Sequence, residues 1–403
     1  MSSDGLKGQQ FKQLLVLIAV SFIDMIGFML ILPLLPFYAL RLNATPAQVG
    51  WIFAAFSIAQ LISAPVWGRV SDRYGRRPAL LIGLLASAAA YVVFGFADSL
   101  LLLFLSRFVQ GAGGGTTGVA QAYVADTVRP ADRARALGWL SSATAAGLIV
   151  GPIAGTAAGL LGTAAPGFLA AGLCLLNAVF AWRWLPESRV LEPEDASTGP
   201  AAPPRAIWAP AWQVLTSPGA PVSRLIWIYG VAMLAFSGIT AVLPLYLEAT
   251  FGVTERTFGF FLAYFGVLSL VMRILLLGPI VDRLGERGTV RVGCVVLLLG
   301  CLLYPAPGSL VLLAILVMPL VPIGTALLFP STTSLISGRT PRSELGVTMG
   351  VAQTFGGIAR ATAPIVGTMV FQYLGHTWPY FVSATLVGVV GFLAWGVDDA
   401  RAG

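Results

Sequence analysis

The sequence predicts an all-α polytopic membrane protein: twelve transmembrane helices in two pseudo-symmetric six-helix bundles. Three observations carry this. Of 403 residues, 57% are hydrophobic and only 10% charged, with a mean hydropathy of +0.86. Apolar runs long enough for a span of about 20 residues recur from end to end. They are rich in Gly and Ala and lack the short alternating segments of an outer-membrane barrel. Third, the two halves of the chain repeat one another.

Twelve runs read as spans: 12–40, 47–67, 79–97, 99–125, 136–160, 166–185, 223–247, 256–278, 289–305, 309–337, 345–373 and 377–397. This divides the chain into an N-terminal bundle, 1–185, a linker, 186–222, and a C-terminal bundle, 223–403. The linker contains EPEDASTGPAAPPR, a Pro-, Ala- and acid-rich composition typical of a flexible connector. Its later part, AIWAPAWQVL, reads as a loop with two interfacial tryptophans. The first run is too long for a cleavable signal peptide and contains an acid instead of a small-residue cleavage site.

Lys and Arg set the orientation. One set of loops holds Lys7, Lys12, Arg69, Arg73, Arg76, Arg77, Arg129, Arg133, Arg135, Arg183, Arg189, Arg205, Arg224, Arg283, Arg287, Arg291, Arg339, Arg342 and Arg401; the opposite set holds Arg41 and Arg256. The rich set is expected to be cytoplasmic, with both termini inside a cytoplasmic (inner) membrane. The net charge of +7 is therefore loop charge facing the bilayer, and no nucleic-acid partner is expected. Cys174, Cys294 and Cys301 lie within apolar runs and His376 at a helix end, so no disulfide framework, metal site or cofactor is expected. No nucleophile–base set points to an enzyme.

The first span, SFIDMIGFMLILPLLPFY, carries one carboxylate, Asp24. An acid at that depth costs about 2.5–3.5 kcal/mol on insertion scales, so its default reading is functional. Arg107, about eight residues into the fourth span, should face the bundle interior and find a partner. Asp24 is the expected one, a pair whose making and breaking would couple to a proton.

The loop 68–83, GRVSDRYGRRPALLIG, has Gly75 for a tight turn and Pro78 to open the next helix. Gly68, Asp72, Arg73, Gly75 and Arg77 recur as Gly278, Asp282, Arg283, Gly285 and Arg287, each 210 residues later. Pro33 recurs as Pro244, and Pro152 and Gly155 as Pro364 and Gly367, at offsets of 211 and 212. Such a duplication puts a binding site between the halves near the midplane. In the fifth span, Gly147, Gly151 and Gly155 share one helical face beside Pro152. That face would let backbones approach, as a helix sliding against a neighbour across the two halves requires.

The loop 68–77 closely resembles the signature loop of the major facilitator superfamily, G-x-x-x-D-R-x-G-R-R. Asp24 with Gly27, Pro33, Pro36 and Tyr38 resembles the first-span motif of its twelve-span drug–proton antiporters. RFVQGAGGGTTG resembles their R-x-x-Q-G-x-G motif, and GLIVGPIAGT their G-x-x-x-G-P-x-x-G-G motif with Thr156 in place of the last glycine. The resemblance implies a proton carrier at Asp24 with Arg107 as its modulator. It also implies a cytoplasmic latch in which Arg76 meets Asp126 and Asp72 caps the eleventh span near 344–347. Tetracycline–proton antiporters are the nearest named group. By resemblance they use further acids in the third and ninth spans, and this chain has none in either.

Cavity candidates are Phe28, Tyr38, Gln60, Gln121, Tyr123, Phe236, Tyr246, Tyr264, Gln353 and Arg360. The second half has no mid-span acid but has Arg273 and Arg360. Arg273 can snorkel to headgroups; Arg360 is too deep to do so easily and could meet an anionic group on a substrate. With one acid against two or three arginines, neutral or anionic lipophiles fit better than cations. The expected function is proton-coupled efflux of lipophilic drugs by alternating access, by a monomer in the bilayer. The alternatives are a proton-coupled transporter of a sugar or organic anion, and a non-transporting sensor or assembly factor.

Overall fold

The computed structural model describes residues 3–129, 132–188, 208–341 and 344–397. Arg189, Arg205, Arg342, Arg401 and the stretch EPEDASTGPAAPPR lie outside them. Among the described residues the structure is helical throughout, without strands, and each of the twelve apolar runs falls on helix.

The first half runs α1 (Ser3–Ile31), α2 (Leu35–Arg41), α3 (Pro46–Tyr74), α4 (Arg76–Gly95), α5 (Leu100–Gly113), α6 (Thr116–Thr127), α7 (Arg133–Gly159) and α8 (Ala165–Trp184). Local chemistry sets the breaks. Pro33 and Pro36 separate α1 from α2, which has proline in its first turn. α3 starts on a reciprocal capping box: Gln48 N–H donates to Thr45 Oγ1 at 3.3 Å, and Thr45 N–H to Gln48 Oε1 at 2.8 Å. The fourth span divides into α5 and α6 at Gly114 and Gly115. Gly115 lies so close to the Trp67 ring that a side chain there has no room.

The rest runs α9 (Trp208–Thr216), α10 (Pro221–Phe251), α11 (Glu255–Val271), α12 (Leu277–Leu303), α13 (Leu310–Leu312), α14 (Leu320–Arg339), α15 (Leu345–Leu374) and α16 (Trp378–Trp395). α9 is helix where the sequence reads as a loop; Trp227 Nε1 donates to Val214 O at 3.1 Å and ties it to α10. α12 kinks at Gly285, with φ of 69°, and α3 ends at Gly75, with φ of 102°. Both copies of the duplicated loop thus turn on a glycine in a region that side chains avoid.

The described residues fall into two compact units, one within Met1–Asp195 with Val253–Tyr264, the other within Ala196–Gly252 with Phe265–Gly403. Residues 253–264 follow α10 in chain order. They join the first unit because Phe258 packs against Phe37 with centroids 5.6 Å apart and Glu255 ion-pairs with Arg41. In the first unit α1 packs on α7 and α8, and α4 on α5 and α8; in the second, α10 packs on α15 and α16, and α12 on α14. Outward side chains are large and apolar, such as Leu176, Ile274 and Phe392 at 61%, 68% and 81% exposure. Water would penalise that surface and a bilayer does not. Nine helical stretches of the described residues are long and apolar enough to cross a membrane.

Candidate proton and substrate site

Asp24 sits three-quarters of the way along α1, half-buried. The break at Gly114–Gly115 turns the start of α6 toward it. There Thr116 Oγ1 donates to Asp24 Oδ2 at 3.0 Å. The carboxylate opens onto a small pocket whose polar lining comes from Ser21, Thr116, Thr117, Gln121, Ser141 and Thr144. Val20, Met25, Leu80, Ala120 and Leu140 supply the apolar remainder. Asp24 is the one charged group in this lining, and the hydroxyls and the Gln121 amide beside it offer hydrogen bonds.

The expected Asp24–Arg107 ion pair is not formed. Arg107 is 1% exposed, and its three guanidinium nitrogens have no hydrogen-bond partner among the described residues. It lies against two rings of α4, Tyr91 at 5.7 Å and Phe94 at 5.4 Å from their centroids. The cause is the intervening ring. A methyl group on Gly27 would meet Tyr91 Cε2 at 3.7 Å and Cys174 Sγ at 3.6 Å, so Tyr91 fills the space beside α1 one turn from Asp24. Gln110, one turn after Arg107, donates from Nε2 to the Tyr91 hydroxyl. Cation–π contacts of up to about 2 kcal/mol each offset part of the guanidinium's desolvation.

Gly147, Gly151 and Gly155 form one face, as their spacing predicts, but that face lies on α1. Methyl groups at Gly147 and Gly151 would meet Met25 Cβ at 2.7 Å and Met29 Cβ at 2.5 Å, and Gly155 abuts Leu30 O. The partner of that face is therefore α1, the helix that carries Asp24. Pro152 and Thr156 turn elsewhere, toward Gly259. Thr156 stands where the resemblance calls for glycine, and Gly259 makes room for it.

In the signature loop, Arg76 Nε donates to Asp126 Oδ2 at 2.9 Å and Arg76 Nη1 pairs with Asp72 Oδ1 at 2.7 Å. Arg77 donates to Trp182 O, and Arg73 lies 5.5 Å from the Tyr74 ring centroid. Gly68 has open space around it. Glu187, which follows α8, caps α4: its carboxylate accepts Arg76 N–H at 2.8 Å and Arg77 N–H at 3.1 Å. A methyl at Gly75 would meet Glu187 Oε2 at 2.5 Å, a second reason for glycine there.

The other cavity candidates scatter. Gln121 lines the Asp24 cavity. Gln60 instead braces the helix break, donating to Gly114 O at 3.3 Å. Phe28 packs on Phe56 at 4.9 Å. Tyr38 is buried, donates to Thr163 O and packs at a tilt on Phe94; Tyr123 is buried and donates to Pro186 O at 2.9 Å. Both are packing residues away from the cavity, because each hydroxyl reaches a backbone carbonyl at a helix end. Tyr246 is likewise buried in a cluster with Tyr304 and Tyr380. Phe236 contacts Phe329, Tyr264 is 38% exposed, and Gln353 is exposed on α15 two turns before Arg360. Thr116, Tyr91 and Glu187 are the residues that the sequence reading passed over. The glycine run before Thr116 was the one available signal.

The chain matches the Major Facilitator Superfamily over residues 17–322 and 225–402. It is 26% identical over 369 residues to the class B tetracycline resistance protein of Escherichia coli, covering 90% of this chain and 89% of that one. It is 28% identical over 382 residues to multidrug resistance protein 2 of Bacillus subtilis (strain 168), covering 94% and 92%. Among solved structures, a D-xylose–proton symporter superposes with a TM-score of 0.74 at 17% identity, covering 96% of this chain and 97% of that one. A family match that spans nearly the whole chain, a duplicated loop that turns on a left-handed glycine in each copy, and an all-helical apolar architecture among the described residues agree: the chain belongs to the Major Facilitator Superfamily.

Proposed function

We propose that the chain is a proton-coupled exporter of lipophilic small molecules, working as a monomer by alternating access in the cytoplasmic membrane with both termini inside. The observation that carries this reading is Asp24: a carboxylate within a membrane span, open to a hydroxyl-lined cavity and held by one neutral donor, Thr116. Ionised, it accepts that hydrogen bond. Protonated, it becomes a neutral donor and the charge in the span is gone. A proton that boards Asp24 from one side and leaves to the other as the cavity switches access, while substrate moves oppositely, is antiport. The resistance relatives support a drug as cargo. Arg107, with no acid partner among the described residues, supplies a fixed positive field behind Tyr91. Each 100 mV of membrane potential provides about 2.3 kcal/mol per charge moved. At about 1.4 kcal/mol per tenfold this sustains a gradient of roughly forty-fold.

The test is a proteoliposome screen with an imposed pH gradient. Addition of lipophilic compounds should release protons from vesicles loaded acid inside, for several compounds of unrelated structure. Proton release by sugars alone would replace this reading with the metabolite alternative.

A further inference from the structure

Arg360 takes part in none of the contacts described above. It lies on α15 fifteen residues after Leu345 and fourteen before Leu374, about 21 Å along the helix from either end. That is farther than an arginine side chain reaches. The outward stripe of α15 runs through Ile358, Val366 and Tyr373, at 48%, 50% and 73% exposure. Arg360 stands about 200° around the helix from Ile358, on the side turned to α10. There a methyl group at Gly356 would meet Tyr229 Cε1 at 2.9 Å, Arg360 Nη1 at 3.4 Å and Tyr229 Oη at 3.6 Å. Guanidinium and phenol thus share the space above Gly356.

The surroundings are aromatic. Phe329 meets Tyr229 edge-on at 5.7 Å, and Phe355 meets Trp227 at 5.4 Å. No described carboxylate is within ion-pair distance of Arg360. The described acids of the second unit, Glu248, Asp282, Glu286 and Glu344, lie at helix ends or in the loop 278–287. Arg360 is only half-buried, unlike Arg107, which is sealed between rings. Arg273 differs again: it is exposed beside the outward Ile274 and Leu275, the position of a snorkelling side chain. A cation at mid-span without a counter-charge is retained at a cost, and the default reason is a ligand.

We propose that Arg360 and Tyr229 form an anion subsite that takes the carboxylate or sulfonate of an aromatic amphiphile. The guanidinium fork bonds two oxygens of the anion, the Tyr229 hydroxyl donates to it, and Phe329 and Phe355 flank its ring. This rests on the exporter reading only for the direction in which such a compound moves.

The test is equilibrium binding to purified protein in neutral detergent, with no gradient. The probes are 1-naphthylacetate and its neutral amide, 1-naphthylacetamide. Wild type should bind the carboxylate at least tenfold more tightly than the amide. Arg360→Met should bring that ratio to about one with the amide affinity unchanged, while Arg360→Lys keeps part of it and Asp24→Asn all of it. Phosphatidylglycerol in the micelle should leave the probe bound. A wild type without the preference, an Arg360→Met that retains it, or displacement by phosphatidylglycerol, which would assign Arg360 to a lipid headgroup, each overturns the proposal. Asp24→Asn transport is measured in parallel. Absence of the carboxylate preference in wild type, with uphill transport lost in Asp24→Asn, sinks the subsite alone; uphill transport retained by Asp24→Asn, with the carboxylate preference intact, sinks the exporter reading alone.

Discussion

Thr116 donates its hydroxyl to Asp24 across 3.0 Å, and this neutral contact stands where an ion pair with Arg107 is the natural expectation. A hydroxyl can both stabilise a carboxylate and accept from a carboxylic acid, so it serves Asp24 in either protonation state.

Thr116→Val removes that hydroxyl at nearly constant volume. A hydrogen bond to a charged group is worth about 1.5–3 kcal/mol. Uphill transport in proteoliposomes should fall about tenfold in Thr116→Val, and Thr116→Ser should retain it. Equal losses in both variants would mean that Thr116 matters for packing and not for the carboxylate.

Arg107 is a buried cation with no acid partner among the described residues. Replacing such a charge with an apolar side chain of similar volume is often neutral or stabilising. Arg107→Met should therefore melt no lower than wild type while losing proton-driven uphill transport. A melting temperature lowered by several degrees would make Arg107 a structural residue.

The α7 face has no room for a methyl beside Met29. Gly151→Ala should cost about 1–3 kcal/mol as an overpacking change. In a Met29→Gly background, which lacks the Cβ that the new methyl meets, Gly151→Ala should cost less, measured as thermal stability by size-exclusion chromatography. Independent, additive losses would show that the two residues do not meet.

Gly75 combines a φ of 102° with the approach of Glu187. Gly75→Ala should destabilise by more than Glu187→Ala, which loses an N-terminal cap worth about 1–2 kcal/mol. The double variant should recover the steric part and keep the backbone part, read as melting temperatures. A Gly75→Ala protein as stable as wild type would contradict the cap geometry.

The bilayer-length runs and the loop repeated at 210 residues make the helical architecture legible in the sequence. The site is legible only in part, and the reason is physical. A mid-span acid announces itself by its cost, so Asp24 stands out. Its neighbour does not: Thr116 reaches it through a helix break at Gly114 and Gly115, and no periodicity says which hydroxyl a break will aim. Opposite charges in the first and fourth spans suggest a pair, yet the Tyr91 ring stands beside α1 and Arg107 lies against it. Glycines four apart define a face on α7 but not its partner, which is α1. Tyr38, Tyr123 and Tyr246 look alike in sequence to a cavity aromatic because burial by packing and burial by ligand draw on the same residue type.

The most direct test of the account is transport by Asp24→Asn in two modes. The variant keeps the shape of the side chain and its acceptor for Thr116, but it cannot take up and release a proton. It should exchange substrate across vesicles at equal pH at a rate near wild type, and fail to concentrate substrate when a pH gradient is imposed. Concentration of substrate by Asp24→Asn under that gradient would contradict the account.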